Sequence, residues 1–440
     1  MLDNIIKFSI KNKLVIGLLT LALIAWGIYS FIRLPIDAVP DITNNQVQVI
    51  TISPSLAPQE IEQFITFPVE AAMANIQDVT EIRSLSRFGL SVVTIVFKDQ
   101  VDVMRARQIV AEQILIAAQQ IPADYGTPEM MPVTTGLGEI YQYVLEPKPG
   151  YEDYYSLYDL RTIQDWIVKR QLAGIPGVVE ISSFGGLLKQ YEVAIDPKHL
   201  VGMNITIPEI FNALENNNQN SGGSYIEKRQ EAYYIRTEGI VKDISDIEKI
   251  VVKEVNGLPI TISDVATVKV GSAPRFGGMT KDGKGEAVGG ITLMLKGANS
   301  AEVTNLVKKR IRMVEKILPP GLDIKPYLDR SLLIQKTIRT VTRNLIEGGL
   351  IVIFVLVLLL GNMRSGLIVA SVIPLSMLFA IALMNIFKVS ANLMSLGAID
   401  FGLIVDGTVI VVEGIMHQLQ KHFNLQHLDQ QKMDETVFKA

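Results

Sequence analysis

No cysteine occurs in the 440 residues, so disulfides, thiolate metal sites and thiol catalysis are excluded together. Histidine is nearly as scarce. His417, His422 and His427 lie at or beyond the start of the polar C-terminal stretch, and His199 stands alone. That is too thin a supply for a dedicated zinc-enzyme centre. Charge of one sign is missing as well: 41 basic residues against 45 acidic ones leave a net −4. Such a balance gives no footing for a nucleic-acid partner.

What the chain does have is apolar length. Its mean hydropathy of +0.30 directs attention to membrane segments. Four runs approach the roughly 20 residues needed to cross a bilayer: 14–32, 345–360, 366–387 and 393–417. Pro374 in the third is acceptable, because neighbouring groups in a membrane bundle re-satisfy the freed carbonyl. The first run follows Lys7, Lys11 and Lys13 and exceeds the ~7–15 residues of a signal-peptide core. No small-residue cleavage site follows it, only RLPIDAVPD (33–41), so an uncleaved anchor helix is expected. The layout is one helix, a long excursion of soluble composition, then three clustered helices. Basic residues at the two ends of the runs are nearly balanced. The N-terminal lysines tip both termini toward the cytoplasm.

The excursion contains a repeat. NIQDVTEIRS (75–84) matches GIPGVVEISS (174–183) at Ile, Val, Glu, Ile and Ser with a constant offset. Each copy follows an amphipathic helix, and each helix follows a strand, 47–53 or 140–146. Strand 91–97 and helix 101–121 continue the first copy. In the second copy the matching strand comes only at 288–296, followed by helix 300–317. Residues of about 185–275 therefore interrupt the second unit, with strands of their own and a polar loop at 216–224. The expected class is a membrane protein with a four-span α-helical bundle and a large α+β periplasmic excursion of repeated split βαβ units.

The fourth run reads NLMSLGAIDFGLIVDGTVIVVEGIMH and holds Asp400, Asp406 and Glu413. A carboxylate at mid-bilayer costs several kcal/mol. At about 100° per residue Asp406 and Glu413 share a face, and Asp400 is offset by roughly 120°. The three acids sit at three depths, the layout of a proton relay, since burial raises a carboxyl pKa toward neutrality. The plainer alternatives are pairing with basic residues for assembly, or an interfacial position for Glu413. Gly397, Gly402, Gly407 and Gly414 fit close helix packing. Two aspartates of an intramembrane protease would face each other from separate helices, which a single helix does not provide. Met377, Met384, Met394 and Met416 are scattered and read as packing rather than as a Cu(I) cluster. Glu139 opens a strand, either as a solvated edge acid or as a hard ligand on a cation path.

These residues carry a resemblance. The order of elements is similar to the first half of a resistance-nodulation-division (RND) pump. DFGLIVDGTVIVVE, RLPIDAVPDI and SPSLAPQEIE resemble the heavy-metal efflux branch of CzcA/CusA type, across nearly all of residues 1–420. Multidrug members carry two adjacent aspartates in this helix. The DFG, DG and E pattern instead resembles the members that export divalent ions such as zinc, cobalt and cadmium. Gly414 departs from the usual asparagine.

The resemblance implies proton-driven antiport by a non-enzymatic inner-membrane protein with no resident cofactor, the metal cation being its substrate. It makes Asp400, Asp406 and Glu413 the proton-coupling acids and Glu139 an acid on the metal path. It divides the chain into 1–33 (cytoplasmic segment and first span), 34–135 (first pore subdomain), 136–184 with 276–330 (second pore subdomain), 185–275 (docking subdomain), 331–418 (three spans) and 419–440 (cytoplasmic tail). Expected partners are the lipid bilayer, a periplasmic adaptor, an outer-membrane channel and two further copies in a trimer. Such pumps have about a dozen spans, so a fragment, a split gene or a truncated frame is expected here. A multidrug subunit and a non-transporting membrane scaffold are the alternative readings.

Overall fold

The computed structural model describes residues 2–34, 37, 41–255, 257–275, 277–360, 363–387, 389, 392, 401–421, 434, 437 and 438. After the short helix Leu2–Lys11, the anchor helix Lys13–Arg33 begins. It packs along the helix Met363–Ile386 through one stripe. Gly27 lies against Leu378, where an added Cβ would come within 2.6 Å of the Leu378 Cβ. Buried Ser30 accepts from Asn385 Nδ2 at 3.3 Å, and Leu34 packs with Met377, Ile381 and Met384. Small residues let two helix backbones approach without water-driven assembly. Met377 and Met384 are packing residues, as their scatter implied.

The first soluble unit consists of β1 (Gln46–Ile52), β2 (Val79–Arg87), β3 (Leu90–Phe97) and β4 (Glu129–Met130), in the order β2-β3-β1-β4 with antiparallel pairing throughout. Helices 58–73 and Val103–Ala118 cover one face. Ile61, Ile65, Val69 and Met73 recur every fourth residue, as do Ala106, Val110 and Ile114. They close a core on Val47, Val49, Val93 and Ile95. Alternation along β1 puts one side of the strand in that core and leaves the other polar.

The second unit repeats this connectivity. It starts with β5 (Glu139–Pro147) and β6 (Val178–Gly185) and ends with β13 (Val288–Met294) and β14 (Leu322–Asp329), in the order β14-β5-β13-β6. Helix 157–172 stands to β6 as helix 58–73 stands to β2, at the offset of the sequence repeat. It packs with Ser300–Val314 on Tyr143, Leu145 and Ile181. Each repeat helix carries one π-helical turn, Glu62–Thr66 or Gln164–Val168. A buried polar link to the sheet sits there. Thr66 bonds Ser86 and Ser91, and Gln164 bonds Tyr143 at 3.1 Å and Ser183 at 3.3 Å. The sequence pattern βαββα lacked the closing strands β4 and β14.

Between β6 and β13 lie β7 (Lys189–Ile195), β8 (Ser221–Lys228), β9 (Glu231–Thr237), β10 (Val251–Val255), β11 (Leu258–Thr261) and β12 (Ala266–Ser272). β7 pairs with β12 from Lys189↔Ser272 to Ile195↔Ala266, so the inserted segment leaves and returns at one place. Residues 221–224, expected within a polar loop, already belong to β8. Pairing with Arg236 and Thr237 overrides the weak strand propensity of its glycines.

Among the described residues two helices are long and apolar enough to cross a bilayer, Lys13–Ile32 and Gly366–Ile386. The run 345–360 is the distal half of one helix, Arg330–Leu360, that starts at the residue after β14 without a loop. At 1.5 Å per residue it is about 46 Å long, well beyond a ~30 Å hydrocarbon core. Its first turn is held to the soluble units by the Lys308 bonds to Asp329 and Ser331. Of the fourth run, 393–400 lies outside the described residues, and the rest falls in the helix Phe401–Lys421.

A Cβ added at Gly289 would land on the Tyr143 carbonyl oxygen of the neighbouring strand, which backbone pairing holds in place. Gly289→Ala is expected to lower the stability of the purified chain by about 1–3 kcal/mol in denaturant unfolding. Gly277→Ala, with nothing within 4 Å of its added Cβ, is expected to be neutral to within about 0.5 kcal/mol.

Candidate functional site

Helix Phe401–Lys421 packs mainly on Met363–Ile386 and also touches Arg330–Leu360. Asp406 lies in its second turn. Glu413 follows seven residues later on the same face, roughly 10 Å along the axis. Asp400, one residue before the helix, lies outside the described residues. Glu413 is exposed, as are its neighbours Ile410 and Val411, and among the described residues no ion pair reaches it. Among the described residues, the helices of this chain leave these three side chains exposed.

Glu139 begins β5, opposite Leu293 of β13. It is exposed and accepts a hydrogen bond from Gln142 Nε2. Partial burial, and then the Glu139 charge, push the nearby Tyr327 phenol above its usual range. Among the described residues no group of three or more His, Cys, Asp or Glu side chains is arranged to hold a metal ion. Glu139 stands at the head of β5 in the second soluble unit, whereas Glu413 belongs to the helix Phe401–Lys421.

A cavity of about 490 Å³ opens beside β5 and β14 and contains Glu146, Asp323, Lys148 and Lys281. Its charges neutralise one another, with Lys148–Asp323 at 3.1 Å and Lys281–Glu146 at 3.4 Å. Lys281 also pairs with Asp282 at 3.0 Å, and Glu286, in the same lining, pairs with Arg275.

The charged cluster that sequence reasoning missed lies where β14 becomes the long helix. Asp329 Oδ1 accepts from the Ser331 amide at 2.9 Å and the Ser331 hydroxyl at 2.6 Å, so a carboxylate closes the first turn. Its other oxygen receives Lys308 Nζ from helix Ser300–Val314 at 2.7 Å. Next to it, the Arg330 guanidinium donates from Nε (3.1 Å) and Nη2 (2.9 Å) to Asp37 Oδ1, and from Nη1 to the Leu137 carbonyl. Its side chain is only 9% exposed. The one hint in the sequence is an Asp-Arg pair just ahead of an apolar run, which is too common to name partners hundreds of residues away.

A family model described as the AcrB/AcrD/AcrF family matches residues 5–438. The chain is 45% identical over 423 residues to the cobalt-zinc-cadmium resistance protein CzcA of Cupriavidus metallidurans, covering 95% of this chain and 40% of that protein. It is 35% identical over 432 residues to the cation efflux system protein CusA of Escherichia coli, covering 98% of this chain and 41% of that one. A crystal structure of a heavy metal efflux pump superposes with a TM-score of 0.85 at 35% identity, over 98% of this chain and 42% of its own. The chain thus spans about two fifths of the length of these relatives.

The Asp329 carboxyl titrates below its ordinary value. Burial pushes it up, but Lys308 and the Ser331 bonds outweigh that and hold the charged form. A depressed carboxyl pKa adds stability above the unfolded value of about 3.9, and that stability is lost as pH falls through the lower folded value. Asp329→Ala is expected to cost about 1–3 kcal/mol in unfolding experiments at pH 7. The gap to the parent chain should stay level down to pH ~5 and narrow only below pH ~4.

Proposed function

The chain belongs to the AcrB/AcrD/AcrF family, in its heavy-metal branch of CzcA/CusA type, and on that footing we propose that it forms the N-terminal portion of a proton-driven exporter of divalent metal cations. The observation that carries the reading is the acidic helix. Asp406 and Glu413 lie on one face of an apolar helix, and nothing among the described residues neutralises Glu413. Acids in such a setting are expensive to keep charged and cheap to protonate. Asp400 serves as the entry acid from the periplasmic side, Asp406 as the central proton carrier and Glu413 as the exit acid. Their counter-charges come from helices beyond this chain, in the portion of the pump that the relatives possess and this chain does not cover.

Energetics constrain the stoichiometry. Moving a divalent cation out of the cytoplasm against 100 mV costs about 4.6 kcal/mol, whereas one entering proton returns about 2.3 kcal/mol. At least two protons per ion are needed on that route, more than one carboxylate cycling once can supply. The divalent class follows from the similarity to a relative named for cobalt, zinc and cadmium resistance. Glu139, at the head of the second unit, supplies an oxygen ligand on the cation path, a preference suited to hard or borderline ions.

The proposed architecture is four spans in the inner membrane, 14–32, 345–360, 366–387 and 393–417, with residues 34–330 in the periplasm. There the two units act as pore subdomains and 185–275 as a docking subdomain. In the assembled pump the chain works as part of a trimer with a periplasmic adaptor and an outer-membrane channel.

The test is metal efflux from proteoliposomes under an imposed pH gradient, with this chain completed by the remaining spans of the pump. Asp406→Asn is expected to lower zinc, cobalt or cadmium efflux by on the order of 100-fold, the effect of losing an essential proton-transfer group. Efflux at the parent rate would refute the relay. Glu139→Gln should instead raise the half-saturating metal concentration, by roughly tenfold for about 1.4 kcal/mol of lost binding.

A further inference from the structure

Arg330 ties together three segments that are remote in sequence. Asp37 follows the anchor helix and is 293 residues away. Leu137 lies in the linker between the two soluble units, 193 residues away and two residues before Glu139. Arg330 itself is the first residue of the helix Arg330–Leu360. The guanidinium is nearly buried, so its charge has to be met by protein, and Asp37 and the Leu137 carbonyl meet it. The planar fork suits this task. Two nitrogens converge on one carboxylate oxygen while the third reaches a carbonyl in another direction, which an ammonium on a flexible stem does not hold in register.

The neighbouring contacts decide what moves with what. Lys308 pins Asp329 and Ser331, so the start of the long helix is fixed to helix Ser300–Val314 of the second unit. That long helix touches the acidic helix Phe401–Lys421 and packs on Met363–Ile386. On the soluble side, the Gly138 carbonyl accepts from the Met294 amide and Lys296 N donates to Val133 O, so the linker is already laid along the end of β13. The Arg330 fork joins this linker, just ahead of Glu139, to the residues that follow the anchor helix and to the start of the long helix, which also touches β5 itself.

We infer that Arg330 is a positioning residue of the transport cycle, holding Glu139 in register with the helical bundle so that displacement of the acidic helix reaches the cation ligand. The inference rests on the efflux reading for its transport consequence, but not for its structural one. Arg330→Lys keeps the positive charge beside Asp37 and removes the fork, so it separates register from folding.

The first arm uses the 440-residue chain in lipid nanodiscs and reads hydrogen exchange at 134–139. Asp406→Asn, a mimic of the protonated acid, is expected to shift exchange there on the order of fivefold or more, and to leave it unchanged in the Arg330→Lys background. The second arm is efflux by the completed pump. Arg330→Lys is expected to lower the maximal rate on the order of tenfold with little change in half-saturating metal concentration, the mark of a coupling rather than a binding defect. An equal exchange shift in both backgrounds, no shift in either, or an unchanged maximal rate in a folded Arg330→Lys pump overturns the inference. If the parent pump moves no metal, the efflux reading fails and the exchange arm alone decides the role of Arg330.

Discussion

A nearly buried arginine is the constraint on which the junction of this molecule depends. Its charge cannot be left unpaired away from water, because breaking such a pair by removing one partner costs several kcal/mol. Asp37 and the Leu137 carbonyl are therefore bound to stay with Arg330, and with them the exit of the anchor helix and the linker between the two units. Apart from that requirement, the covalent continuity of β14 with the long helix and the Lys308 bonds to Asp329 and Ser331 fix the long helix to the second unit, but neither of them holds the exit of the anchor helix or the linker. The rest of the chain can be read as two bodies on either side of this point.

On the soluble side, duplication and insertion coexist because antiparallel pairing makes them compatible. Both units use the same strand order around the same two helices. The inserted segment enters and leaves through adjacent strands, β7 and β12, so β6 and β13 can pair as though nothing stood between them. Closing a long loop costs little more than closing a short one, since the entropy grows only with the logarithm of length. The insertion also has its own buried cluster around Ile210, Ile247, Ile262 and Val265, so it does not draw on the core of the unit it interrupts.

On the membrane side, composition and packing pull apart. The anchor helix and Met363–Ile386 bury a seam of small and apolar residues against each other. On the acidic helix Ile410, Val411 and Glu413 are all exposed, and among the described residues no ion pair reaches Glu413. A carboxylate and two large aliphatic residues exposed within one helical turn place opposite demands on their surroundings, since the charge favours water and the aliphatic groups do not.

The sequence by itself determined what is local. Apolar run length marked the anchor helix and the Gly366–Ile386 segment. Period-two and period-3.6 patterns marked β1, β3 and the helices that carry Ile61 to Met73 and Val303 to Val314. The rarity of acids in apolar helices marked Asp406 and Glu413. Tertiary structure alone decided the rest. Strand β14 has Pro326 inside it and no clean alternation, and it survives because it occupies the edge of the sheet. Strand β4 is two residues long and exists only because β1 pairs with it. The extension of the long helix back to Arg330 runs through a mixed stretch in which Leu332, Leu333, Ile334, Ile338 and Val341 alternate with charged and polar residues, so hydropathy does not join it to the run at 345–360. The Arg330–Asp37 pair joins residues that nothing in one dimension relates. Hydropathy and periodicity are properties of neighbours along the chain, whereas the partner of a buried charge is set by the fold that removes it from water.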